Sequence, residues 1–116
     1  MAKLLVHVTC GPEQPTKAAL AFLVAKAALD EGHEVSVFVA GDGVQLLRDA
    51  TLDAVQGVGT GSLRESFDAV VAGGGAIYAS GMSAKARGVS LEGKAEPAMP
   101  NRLVELALEH DRVISY

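Results

Sequence analysis

The sequence predicts a single-domain, three-layer α/β/α sandwich built on a mostly parallel sheet of four or five strands. Three observations predict it. Apolar, β-prone runs alternate with helical patterns in the order β-α-β-α-α-β-α-α-β, which leads to a parallel sheet with helices on both faces. The first two strands are nearly unbroken apolar runs, the form taken by strands buried on both sides. Hydrophobic residues make up 49% of the 116, dominated by Ala, Val and Leu, with few aromatics and no Trp. That length suits one domain over residues 1–116 with a core of its own.

Leu4–Thr9 reads as a central strand, with His7 as a packed core residue. Cys10-Gly11-Pro12-Glu13-Gln14-Pro15 then forms the first strand-to-helix loop. Pro15 suits the first turn of a helix that runs through Thr16–Glu31 and ends at Gly32 in a left-handed cap. That helix is apolar almost all round. One side is expected to meet the sheet and another to meet a partner subunit. Glu34–Ala40 is the second strand, followed by Gly41-Asp42-Gly43 and a short helix Val44–Arg48 that Asp42 can cap.

Asp49–Gly61 is the least regular part and reads as a flexible loop with a short extended piece at Ala54–Val58. Ser62-Leu63-Arg64-Glu65 matches a capping box. The helix behind it carries Leu63, Phe67, Val70 and Val71 on one face, and Gly73-Gly74-Gly75 ends it. A strand Ala76–Ala79 follows, then a loop Gly88–Ala98 with solvated Glu92 and Glu96. A helix from Pro100 to about Glu109 turns Leu103, Leu106 and Ala107 inward, and Asp111–Tyr116 closes the domain as a strand.

Composition excludes several classes. A net charge of −4 and a pI near 5.2 argue against a general nucleic-acid binder. No apolar run is long enough to span a bilayer, and Met1-Ala2-Lys3 leads directly into a strand, so a cytoplasmic protein without membrane contact is expected. One cysteine permits no intramolecular disulfide. There is no metal-ligand spacing, P-loop or dinucleotide fingerprint, so neither a metal nor a cofactor is expected.

The candidate site lies in Ala76–Gly88. A buried strand there gives way to a small-residue turn, Ser80-Gly81-Met82-Ser83, and then to a helix carrying Lys85 and Arg87. Ligands of open α/β sheets sit beyond the carboxyl ends of the strands. From Ala69 to Leu91 the acidic chain has no Asp or Glu, so both cations stand in a locally positive stretch. Ser80, Gly81, Ser83, Lys85 and Arg87, with Asp42, form a candidate ligand-binding set for an anion. The same features also describe an ordinary strand-to-helix connection with a solvated face. Cys10, at the end of the first strand and ahead of a helix, is a candidate nucleophile, because that setting can lower a thiol pKa. A free cysteine in such a place is also often a small buried hydrophobe.

Ordered along the chain, Thr9-Cys10-Gly11-Pro12-Glu13, Gly32-His33-Glu34-Val35, Phe38-Val39-Ala40-Gly41-Asp42-Gly43-Val44 and Lys85-Ala86-Arg87-Gly88 resemble the DsrE/DsrF-like family, which includes TusD-like sulfur-relay subunits. The resemblance covers essentially the whole chain and implies a flavodoxin-like fold. In sulfur-transferring members the turn is similar to Cys-Gly-x-Cys followed by x-Lys-x-Arg-Gly. Here both cysteine positions are serine, Ser80 and Ser83. A serine hydroxyl cannot carry a persulfide.

The resemblance thus implies a sulfur-relay-type protein with a degenerate site, assembled as a homotrimer or homohexamer, with sulfur-relay proteins as partners. It also implies that Asp49–Gly61 borders the site as a lid. Two other readings stand beside it: a sulfurtransferase that uses Cys10 as persulfide carrier, and a small-molecule-binding module unrelated to sulfur transfer. Serine hydrolysis is set aside, because no Ser–His–acid set can be assembled.

Overall fold

The computed structural model describes all 116 residues, Met1–Tyr116. Strand β1 (Lys3–Val8) is followed by helix α1 (Pro15–Asp30), strand β2 (Glu34–Val39), a 3-10 helix (Gly41–Leu47) and helix α2 (Asp49–Ala54). A small hairpin of β3 (Gln56–Gly57) and β4 (Gly61–Ser62) leads into helix α3 (Leu63–Ala72). Then come β5 (Ala76–Ser80), α4 (Gly81–Arg87), β6 (Glu96–Ala98), α5 (Pro100–Glu109) and β7 (Arg112–Ser115). Five strands form one sheet in the order β6-β5-β2-β1-β7, and every neighbouring pair is parallel. The architecture is the expected α/β fold, with helices flanking a parallel sheet.

Alternation along the strands separates two apolar layers. Val6, Val8, Val35, Val37, Val39, Ile77 and Ala79 point to the face covered by α1 and α3, and they join the main core with Ala18, Phe22, Leu63 and Phe67. Phe22 and Phe67 meet across it with ring centroids 5.7 Å apart. Leu5 and Phe38 point to the opposite face and pack with Ala98 and Leu106 in a much smaller cluster. α5 is the helix on that side. Its end is fixed by His110, whose Nδ1 lies 2.6 Å from the Leu106 carbonyl and whose Nε2 lies 3.1 Å from the Ser36 hydroxyl. His7 is half-buried rather than deep in the core, sits edge-on to Phe38 at 6.0 Å, and has its pKa lowered by burial.

Local signals place most element ends. Pro15 opens α1, and Gly32 follows that helix with φ of +88°. Ser62 caps α3, its hydroxyl accepting from the Glu65 N–H at 3.3 Å. Gly88 ends α4 in the left-handed region at φ +66°, which a side chain would strain.

Several expectations are corrected. Asp49–Ala54 is helical, not loop. Arg64 draws it in by bonding Asp53 at 2.9 Å and Asp49 at 3.1 Å, while Lys94 reaches Asp49 at 2.8 Å. Those bonds, the one from Lys94 first, hold the Asp49 carboxyl below its ordinary pKa. The 88–98 stretch contains the edge strand β6; Pro97 is tolerated there because an edge strand needs fewer ladder donors. Asp42 caps nothing: the 3-10 helix starts at Gly41, and no side chain caps it. Val71 is exposed instead of facing the core. The large apolar side chains of α1 are buried or half-buried, while Pro15 and Ala27 are exposed; the exposed large hydrophobics lie on other elements.

The turns at the carboxyl end of the sheet are packed backbone to backbone. A Cβ on Gly43 would stand 2.4 Å from the Val8 carbonyl oxygen, and one on Gly11 would stand 2.5 Å from that of Asp42. A Cβ on Gly81 would meet nothing nearer than 3.8 Å. Gly43→Ala is therefore expected to lower unfolding free energy in urea by ~1–3 kcal/mol through overpacking. Gly81→Ala, in the first turn of α4, is expected to be neutral or stabilising by up to ~1 kcal/mol.

Candidate functional site

Because β5, β2 and β1 are neighbours, the turns that follow them lie side by side at the carboxyl edge of the sheet. The serines of the motif turn are both engaged. Ser80 caps α4, its hydroxyl accepting from the Ser83 N–H at 3.1 Å. The Ser83 hydroxyl accepts from the Gly41 N–H at 2.9 Å, which ties the turn after β5 to the turn after β2. Arg87 doubles this tie: its Nε donates to Asp42 Oδ1 at 3.1 Å, and one terminal nitrogen donates to the Ser83 carbonyl at 3.3 Å. Arg48 adds a bond of 2.7 Å to the Arg87 carbonyl.

Ser80, Ser83, Arg87 and Asp42 are thus brought together as the sequence suggests, but as a clasp whose members bond one another. The stretch without acids in sequence is not free of acids in space, because Asp42 arrives from β2. Lys85 stands apart. It is exposed and takes part in none of the ion pairs. Gly81 lies in the open first turn of α4.

Cys10 lies one turn away, at the end of β1. The chain reverses its direction of travel across the sheet between β1 and β7, so this is the topological switch point. Tyr116 sits there too: its carbonyl accepts from the Thr9 N–H at 2.9 Å and from the Thr9 hydroxyl at 3.1 Å. Cys10 is buried, and burial pushes its thiol pKa up; the nearby Lys17 charge opposes that and Glu13 adds to it. The low thiol pKa that a strand end and a helix start suggest is not what this surrounding gives. The Gly11 N–H is taken by the Glu13 carboxylate, at 2.9 and 2.7 Å to its two oxygens, so it is not free to stabilise a thiolate.

Sequence reasoning missed Arg48, Gly41 and Tyr116. Gly41 was legible only as part of a turn. The place of Tyr116 depends on β7 joining beside β1, which no local signal encodes. Two open clefts flank Lys94, of about 410 Å³ beside α3 and about 300 Å³ beside the end of α4. None of the predicted site residues lines either one. No cluster of three or more His, Cys, Asp or Glu side chains is arranged to hold a metal ion. No helix is long and apolar enough to cross a membrane.

Comparison with known proteins agrees with this fold. The ychN protein from E. coli superposes with a TM-score of 0.82 over 100% of both chains, at 16% sequence identity. A conserved protein of unknown function from Bacteroides thetaiotaomicron superposes with a TM-score of 0.74 over 99% of this chain and 95% of its own, at 14% identity. No curated protein matches. The DsrE/DsrF-like family profile matches residues 2–116, and this chain belongs to that family.

Proposed function

We propose that this chain is a degenerate-site member of the sulfur-relay family, one that binds a small anionic ligand within a homo-oligomer and does not itself transfer sulfur. One observation carries this reading. Both serines that stand where sulfur-transferring relatives carry cysteine are tied into the clasp, and the one remaining thiol, Cys10, is buried with its pKa raised. Sulfur relay needs a thiolate that can reach its donor. Neither the hydroxyls nor a buried neutral thiol meets that need.

Anion binding is assigned to the outer surface of the same turn. Lys85 is the contact with charge to give, and the Ser80 and Ser83 hydroxyls retain a proton each to donate. Arg87 and Asp42 hold the turn in shape. The family supports a homotrimer or homohexamer, with sulfur-relay proteins as partners in the cell interior.

The reading has two tests. Phosphate titration followed by amide chemical shifts is expected to move Ser80–Gly88 first. Lys85→Ala should weaken binding about tenfold or more, matching the ~1.5–3 kcal/mol of a hydrogen bond to a charged group. Unchanged affinity in Lys85→Ala would remove the anion site.

The second test concerns Cys10. Incubation with a sulfane-sulfur donor should leave the intact mass unchanged, and native alkylation should be slow near neutral pH. A reductant-sensitive gain of one sulfur, absent in Cys10→Ser, would instead make Cys10 a persulfide carrier. The pH dependence has a definite sign. A thiol whose folded pKa is raised stays neutral while the unfolded chain ionises near about 8.5. Its contribution to stability is therefore full below that pH and is lost as pH rises toward the folded value. Cys10→Ala should flatten that alkaline decline.

A further inference from the structure

Of the two clefts beside Lys94, the larger holds no free cation. Arg64 there pairs with Asp49, Asp53 and Asp68, and Lys94 pairs with Asp49. The smaller cleft, of about 300 Å³, is different. The Asp49–Lys94 pair, 2.8 Å long, takes up two of its four lining charges. The other two are Arg48 and Glu92, both exposed, and neither takes part in any ion pair. They come from separate segments. Arg48 follows the 3-10 helix and is fixed there: Nε donates to Gln45 Oε1 at 2.7 Å, and Nη2 donates to the Arg87 carbonyl at 2.7 Å. Both acceptors are neutral, so the guanidinium charge has no counter-ion, and Nη1 stays free to donate. Glu92 lies beyond α4. Val89 is buried there and Leu91 packs on the main core, which turns Ser90 and Glu92 outward.

We propose that this cleft binds a free α-amino acid, its carboxylate on Arg48 and its ammonium on Glu92. A free cation and a free anion that line one cleft without meeting suit a ligand that carries both charges close together. A carboxylate matches the end of the guanidinium, where Nη1 and the second hydrogen of Nη2 lie side by side. A phosphate dianion fits less well, because Asp49 and Glu92 both repel it. The lining is polar apart from Leu47, which is itself buried, so the cleft suits an amino acid with a small or polar side chain. Its volume stands at the low end of the ~300–1,000 Å³ of small-molecule sites. The site is separate from the anion site assigned to the motif turn, because Lys85 does not line it.

Glycine, with acetate and methylammonium as its two halves, tests this through the amide chemical shifts of the full chain. Glycine is expected to move Arg48, Ser90 and Glu92 and to saturate in the millimolar range. Each half is expected to bind at least about tenfold more weakly, because it loses one hydrogen-bonded charge. Arg48→Gln and Glu92→Gln are each expected to weaken glycine binding by about tenfold or more. Arg48→Gln also removes the bond to the Arg87 carbonyl. Glu92→Gln breaks no ion pair and so decides the matter if the first variant loses structure. Acetate that binds as tightly as glycine, unchanged glycine affinity in Glu92→Gln, shifts that do not saturate, or shifts confined to Ser80–Lys85 would each overturn the proposal.

Discussion

The hydrogen bond from the Gly41 N–H to the Ser83 hydroxyl, 2.9 Å long, joins two turns that a parallel sheet leaves separate. Parallel strands all end on one edge, and each end opens into its own turn. Nothing in the ladder itself fixes those turns against one another. Here Ser83 holds the turn after β5 to the turn after β2, and Arg87 repeats the link through Asp42. The turn after β2 in turn rests on β1, with Gly43 against the Val8 carbonyl and Gly11 against that of Asp42. Three neighbouring strand ends thus become one rigid surface. The ion pair adds little by itself at a site this exposed. Its value is geometric, since it fixes α4 on the same carboxylate turn that the serine already holds.

The same contacts occupy both serines of the motif turn. Serine at positions 80 and 83 offers a hydroxyl that can cap a helix or accept a backbone N–H, and both do so. A reactive thiol at those positions needs access and freedom from such bonds. Cys10, the one thiol of the chain, is buried, and the amide of its loop is held by Glu13. Outward on this turn stand Met82, Lys85 and Ala86.

Much of this was legible in the sequence, for identifiable reasons. The strands at Leu4–Val8 and Val35–Val39 are nearly unbroken apolar runs, α1, α3 and α5 have Pro or Ser at their starts, and α3 and α5 have a periodic inner face. The short elements were hidden. α2 has six residues and two aspartates, and its place depends on Arg64 and Lys94 from distant segments. β6 contains Glu and Pro, which a central strand would not carry. At the carboxyl edge, the sequence points to Ser80, Ser83, Arg87 and Asp42 but not to the bonds between them. Asp42 and Arg87 are 45 positions apart, and only the order of β2 and β5 in the sheet brings them together. The exposed apolar surface was expected on α1, because an all-round apolar helix looks unpartnered in sequence. α3 packs over it, and the exposed large hydrophobics lie on other elements, among them Val71 on α3, Met82 on α4, Val104 and Leu108 on α5, and Val113 and Ile114 on β7.

The clasp can be tested at one atom. Amide hydrogen exchange of Gly41 reports directly on whether its N–H is held, because an amide in a half-exposed turn is protected only by its hydrogen bond. The account predicts marked protection in the wild type, a loss of at least about tenfold in Ser83→Ala, and little change in Lys85→Ala. Free exchange of Gly41 in the wild type, or protection that survives Ser83→Ala, would contradict it.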